Sequence, residues 1–204
     1  MPGLGVRAAP PDPGGRLPWR WAEVLAAQLD GRDPTGPWRA AVAATTARQY
    51  AAPAPAALPA AFVLQWVLEV PALLAVAGAT LEPGALAPVL GSVDFDLHPG
   101  AHFPDRAQVA EVAPAPEDAD RRWDAAHGAY LELAAPFARA YDPGVRLGRR
   151  TRLAMVDDVW AMARRRVVGG PPPARGSCCF VYALPGAREC AGCPRLRSAP
   201  PRRA

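Results

Sequence analysis

Residues 60–78 read AAFVLQWVLEVPALLAVAG, the only long apolar stretch in the chain. It has the length of a membrane span, but Gln65, Glu69 and Pro71 interrupt it. A carboxylate and a helix breaker near the middle of a span are costly in lipid. A helix that is apolar on all sides is then the buried centre of a folded domain. The pattern predicts a helix from Leu58 to about Ala77 and no transmembrane segment.

The segments on either side supply what would cover such a helix. Trp19 to Asp30 reads as a short helix between Pro18 and Gly31, and Thr35 caps a second helix from about Pro37 to Gln49. The Ala/Pro run AAPAPAALP breaks regular structure before the apolar helix. Ser92 to Leu97, SVDFDL, alternates Val93, Phe95 and Leu97 against Asp94 and Asp96, the signature of a half-buried strand. Ala107 to Val112 is a weaker strand, so a sheet of two or three strands is expected. After Pro116, acidic residues favour the first turns of a helix. Its stripe of Trp123, His127, Tyr130, Ala134, Phe137 and Tyr141 follows helical spacing, with Pro136 expected to kink or shorten the last turn. A further helix covers Arg149 to Val168, with Leu153, Val156, Trp160, Ala163 and Val167 inward. The sequence GGPPPARG then ends regular structure.

The fold class is mainly α with a small β-sheet, α+β: a helical body followed by a C-terminal cysteine hairpin or loop. The expected organisation is a flexible N-terminal tail over 1–18, a helical body over 19–168, a linker over 169–176 and a C-terminal segment over 177–204 that ends in a basic tail. Half of the 204 residues are hydrophobic and 21% are charged, which suits a folded chain. The N-terminus shows no apolar run of the kind that forms a signal-peptide core, so a cytoplasmic location is expected. The net charge of +4 hides an asymmetry. From Gly144 onward there are 13 Arg against Asp157, Asp158 and Glu189, whereas the first 143 residues carry an acidic excess of 6. No glycine-rich phosphate loop and no catalytic-triad pattern occurs. His98 and His102 flank Pro99 and Gly100 and read as a polar loop, His127 as a packed core histidine, and Asp94 and Asp96 as a solvent-facing strand edge.

All four cysteines fall in one stretch, Cys178-Cys179-x10-Cys190-x2-Cys193, with a Pro185-Gly186 turn between the pairs. In a reducing compartment such a set is a metal site rather than a disulfide framework. Four thiolates suit zinc or an iron–sulfur cluster. Adjacent cysteines have Cα atoms about 3.8 Å apart, and in extended chain their side chains point to opposite faces. Chelating one small ion from both is awkward, whereas a two-iron cluster needs ligands on two separate irons. The spacing therefore favours 2Fe-2S; a zinc hairpin or a vicinal disulfide is the alternative. Arg175 and Arg188 flank the segment, and their charge would favour the reduced form of an anionic centre.

The string GSCCFVYALPGARECAGCP resembles the C-terminal segment of the FhuF-like ferric-siderophore reductases, of the short actinobacterial type. The resemblance implies a 2Fe-2S cofactor with Cys178, Cys179, Cys190 and Cys193 as its ligands. It also implies a cytoplasmic oxidoreductase that passes one electron to the Fe(III) of an imported ferric siderophore, usually a hydroxamate, and releases Fe(II). Its partners would be the ferric siderophore and an electron donor such as a ferredoxin or flavoprotein, with no nucleic acid. An iron–sulfur redox sensor that binds nucleic acid, or a non-catalytic siderophore-binding or electron-transfer accessory protein, are the competing classes.

Overall fold

A computed structural model describes residues 5–6, 17–190 and 192–198. The rest of the expected N-terminal tail and the end of the basic tail lie outside the described residues. In chain order the elements are β1 (Gly5–Val6), β2 (Trp19–Arg20), α1 (Trp21–Leu29), α2 (Gly36–Tyr50), α3 (Ala57–Ala79), β3 (Leu86–Pro88), β4 (Val93–Leu97), β5 (Pro104–Val109), β6 (Val112–Pro114), α4 (Ala119–Ala140), α5 (Arg149–Val168) and α6 (Pro194–Ser198). The fold is α+β, mainly helical.

The apolar segment forms α3, and its burial is nearly complete. From Leu58 to Ala79 every residue except Phe62, Glu69 and Ala77 is buried. This helix is long and apolar enough to cross a membrane, yet 83% of its apolar window is covered inside the fold. Helices α2, α4 and α5 all pack against it, and α1 packs on α4. The aromatic residues Trp21, Trp38, Trp66, Phe95, Phe137 and Tyr141 join the same core.

A helix interrupted by proline and buried on all sides has a specific problem. Pro71 has no N–H, so the carbonyl of Val67, four residues earlier, loses its helical partner in a place water cannot reach. The indole Nε1–H of Trp21 donates to that carbonyl at 3.0 Å. At the other end of α3 the Tyr141 hydroxyl, at the C-cap of α4, donates to the Ala60 carbonyl at 3.0 Å. Burial pushes the Tyr141 phenol up to about 12, so it remains a donor at neutral pH. Pro136 sits within α4 without shortening it, and the carbonyl it orphans belongs to Glu132, which is exposed to solvent.

The sheet is larger than expected. Four strands pair in the order β1-β5-β4-β2, antiparallel except for β1 on β5, and β3 pairs with β6. The extra strands are two or three residues long and carry no readable alternation. Trp19 and Arg20, expected to open the first helix, instead extend against Phe95 and Asp94 of β4, with the Trp19 and Phe95 rings 6.0 Å apart. Thr35 stands at the N-cap of α2, but its hydroxyl is spent on Asp33 rather than on the helix. Val167, expected inward, is 40% exposed. The stripe from Leu153 repeats every 3.5 residues and so drifts off a 3.6-residue helix by about 20° per heptad.

Trp21→Phe should cost about 2 kcal/mol in urea unfolding, because a buried carbonyl loses its partner. In a Pro71→Ala background the same change should cost about half as much, because the restored backbone N–H serves Val67 instead. Equal costs in both backgrounds would contradict this role for the indole.

Candidate metal centre

The cysteine segment is held to the body by a carboxylate. Asp158 on α5 is 6% exposed. It accepts from the backbone N–H of Gly176 at 2.8 Å and of Ser177 at 2.7 Å, and from the Ser177 hydroxyl at 2.5 Å. These are the residues directly before Cys178, so one side chain fixes where the first cysteine pair begins. A carboxylate accepting several N–H and O–H bonds is among the stronger anchors available to a loop. Arg175 adds a second tie. Its backbone N–H donates to the Gly192 carbonyl at 3.1 Å, which closes the segment's two ends on each other.

Between these ends the chain takes the loop form of the expected hairpin or loop; among the described residues it pairs no strands. Leu184, Pro185, Gly186 and Ala187 form the expected turn, with Gly186 at φ +71° and the Ala187 N–H donating to the Leu184 carbonyl at 3.1 Å. Phe180 sits in the left-handed region at φ 63°, unusual for a bulky residue, and packs on the core while its N–H lies 3.4 Å from Cys178 Sγ. Gly192 at φ +76° is irreplaceable on two counts, since a Cβ there would also stand 2.6 Å from the Pro173 carbonyl oxygen.

This path brings two of the four thiols together. Cys179 and Cys193 are buried, Cys178 and Cys190 half-buried. The sulfurs of Cys179 and Cys190 are 3.6 Å apart. Two thiolates on one tetrahedral ion with metal–sulfur bonds of about 2.3 Å stand about 3.8 Å apart, so this pair is already close to chelating distance. Among the described residues no three histidine, cysteine or carboxylate groups converge as a single-ion site would require. One pair close to chelating distance, with two further cysteines on the same segment, supplies the four-thiolate donor set that a two-iron cluster takes. Burial and the neighbouring Cys179 push the Cys190 thiol up to about 11, and burial raises Cys178 as well. Thiols in that condition do not ionise on their own at neutral pH, and a metal centre displaces their protons.

The surroundings include residues whose part in the site has no signal in the local sequence. Gln65 and Met155 join Asp158 and Ser177 around the Arg175 guanidinium, which is itself 7% exposed. Gln65 stands out in the sequence as a polar residue in the apolar stretch, and Asp158 as one of three acids in a basic region; nothing in the spacing ties either to the cysteines. Arg175 and Gly176, expected in the linker, belong to the docked segment. Arg188 is exposed.

The other singled-out residues lie elsewhere. The His98 ring accepts from Gly100 and Ala101 N–H and stacks on Phe103, a loop role. His127 is half-buried and stacks on Trp160 with centroids 4.6 Å apart. Asp94 and Asp96 pair with Arg20 and Arg106.

Residues 175–195 match the family description "FhuF 2Fe-2S C-terminal domain". A search of curated proteins finds no match to the chain. The chain is therefore a protein of the 2Fe-2S iron–sulfur class. The match is confined to the cysteine segment, which is similar to an FhuF-type 2Fe-2S domain.

Gly192→Ala should lower bound iron and sulfide per chain at least several-fold while far-UV circular dichroism stays unchanged. Asp158→Ala, which removes the carboxylate beside a buried guanidinium and strands three donors, should cost about 3–5 kcal/mol in stability as well as cluster content. Full cluster content in either variant would show that the docking contacts are dispensable.

Proposed function

We propose that Cys178, Cys179, Cys190 and Cys193 hold the 2Fe-2S cluster and that the protein reduces ferric siderophores, with hydroxamate chelates as the substrate class. The observation that carries this reading is a cleft of about 320 Å³ beside the cluster segment. One wall is Val181 and Leu184 of the cysteine loop, and the others include Thr46 and Tyr50 of α2, Phe62 and Trp66 of α3 and Phe103. Val181 is two residues from Cys179, so their Cα atoms are within about 7 Å. A molecule seated in the cleft would stand next to the redox centre.

When bound, the cluster supplies single electrons, and one electron converts Fe(III), which hard oxygen donors hold tightly, to Fe(II), which they hold weakly. The protein's own residues need only bind the chelate, orient it against the loop and keep water out. The cleft is suited to this because its lining carries no charged side chain and combines aromatic faces with the Thr45, Thr46, Gln49 and Tyr50 polar groups. A neutral or weakly charged chelate loses little on entering such a site, whereas a multiply anionic one would be penalised. Chemistry of this kind requires no general acid or nucleophile. A cytoplasmic location and a ferredoxin or flavoprotein donor complete the proposal.

Anaerobically purified protein should contain two irons and two sulfides per chain, lost in each cysteine-to-serine variant. Dithionite-reduced protein mixed with a ferric trihydroxamate and a ferrous chelator should reoxidise as the ferrous complex forms. Thr46→Trp, which fills the cleft, should slow that reoxidation roughly tenfold without altering cluster content. Stoichiometric zinc in place of iron would end the proposal; an intact cluster that no ferric siderophore reoxidises would leave a non-catalytic accessory protein.

A further inference from the structure

Arg175 is more deeply placed than a docking residue needs to be. Its Nη2 lies 3.0 Å from Gln65 Oε1, 3.5 Å from Ser177 Oγ and 3.7 Å from Met155 Sδ, and its Nε lies 3.7 Å from Asp158 Oδ2. This set aims Nη1 at the sulfur of Cys190, 3.9 Å away. Asp158 pairs with the Nε side of the guanidinium and also accepts bonds from Gly176 and Ser177, while Nη1 lies toward the Cys190 sulfur. Gln65 aims the group without neutralising it.

We infer that Arg175 is a positioning residue for the redox centre: a fixed cation, held by Gln65 against the Cys190 sulfur, that raises the cluster's reduction potential. This rests on Cys190 being a cluster ligand and not on the identity of the electron acceptor. The sign follows from charge. A four-thiolate 2Fe-2S centre is anionic and becomes more so by one unit on reduction, so a nearby buried cation stabilises the reduced form more than the oxidised one. A hydrogen bond to a ligand sulfur acts in the same direction by withdrawing density from it. Arginine is suited to this because its charge persists at every accessible pH and its planar fork can serve Gln65 and Cys190 together. A lysine would keep the charge and lose the fork.

The test is a dye-mediated redox titration of the holo-protein followed by electron paramagnetic resonance, with no siderophore present, so the result is independent of reductase activity. In Arg175→Gln the ratio of reduced to oxidised cluster at a fixed ambient potential should fall about tenfold, which is 59 mV for one electron. In Arg175→Lys it should fall by no more than about threefold, since the charge remains. A fully loaded Arg175→Gln protein with the wild-type potential would overturn the inference, as would equal falls in the two variants, because the cause would then be loop geometry and not charge. If Arg175→Gln does not retain its cluster, Gln65→Leu decides the matter, because Gln65 reaches the sulfur by way of Arg175. A fall in the same direction supports the inference, and an unchanged potential overturns it.

Discussion

A helix buried on every side can send its polar groups only to its neighbours, and the architecture follows from how α3 does so. The Val67 carbonyl, stripped of its helical partner by Pro71, is met by Trp21 of α1. The Ala60 carbonyl is met by Tyr141 at the end of α4. Glu69 is met by Arg166 of α5 at 2.5 Å, although burial still raises its carboxyl above the usual range. Gln65 is met by Arg175 from the cysteine segment. Each requirement left by an apolar sequence with a few polar residues becomes a tie to a different element. Buried polar groups are costly when unpartnered, so these ties select one arrangement of neighbours among the many that hydrophobic packing alone would allow.

The same logic explains how a loop with almost no regular structure takes a defined path past the body. Of the segment from Arg175 to Cys193, Cys179, Leu184 and Cys193 are buried and Phe180 packs on the core. Its conformation is set by groups on the body, Asp158 for the backbone before Cys178 and Gln65 for the arginine, together with a carbonyl-to-amide closure within the segment between Gly192 and Arg175. The cluster site is therefore an extension of the helical core, and a change in α3 or α5 reaches the sulfurs through one or two side chains.

The basic character of the C-terminal part also gains a structural meaning. Several of its arginines are engaged with the fold rather than simply solvated. Arg166 pairs with Glu69, Arg164 lies over the Trp123 ring at 4.7 Å, and Arg195 lies over the Tyr182 ring at 3.8 Å. In a chain that uses arginine for every basic position, the flat guanidinium serves as a packing surface as well as a charge.

The sequence determined the helices and the cysteines. Periodicity placed α3, α4 and α5 to within a few residues because long amphipathic or wholly apolar runs leave little choice of period. The pattern Cys-Cys-x10-Cys-x2-Cys, with its Pro-Gly turn, marked the cofactor because few chemistries bring four thiols so close along a chain. Strands of two residues, the burial of Arg175 and the roles of Gln65 and Asp158 were decided only by the tertiary structure. Gln65 and Arg175 are 110 residues apart. No local spacing encodes their meeting; it arises because a buried polar group on an apolar helix and a buried cation beside a half-buried thiol each have to find a partner, and folding brings the two within 3.0 Å.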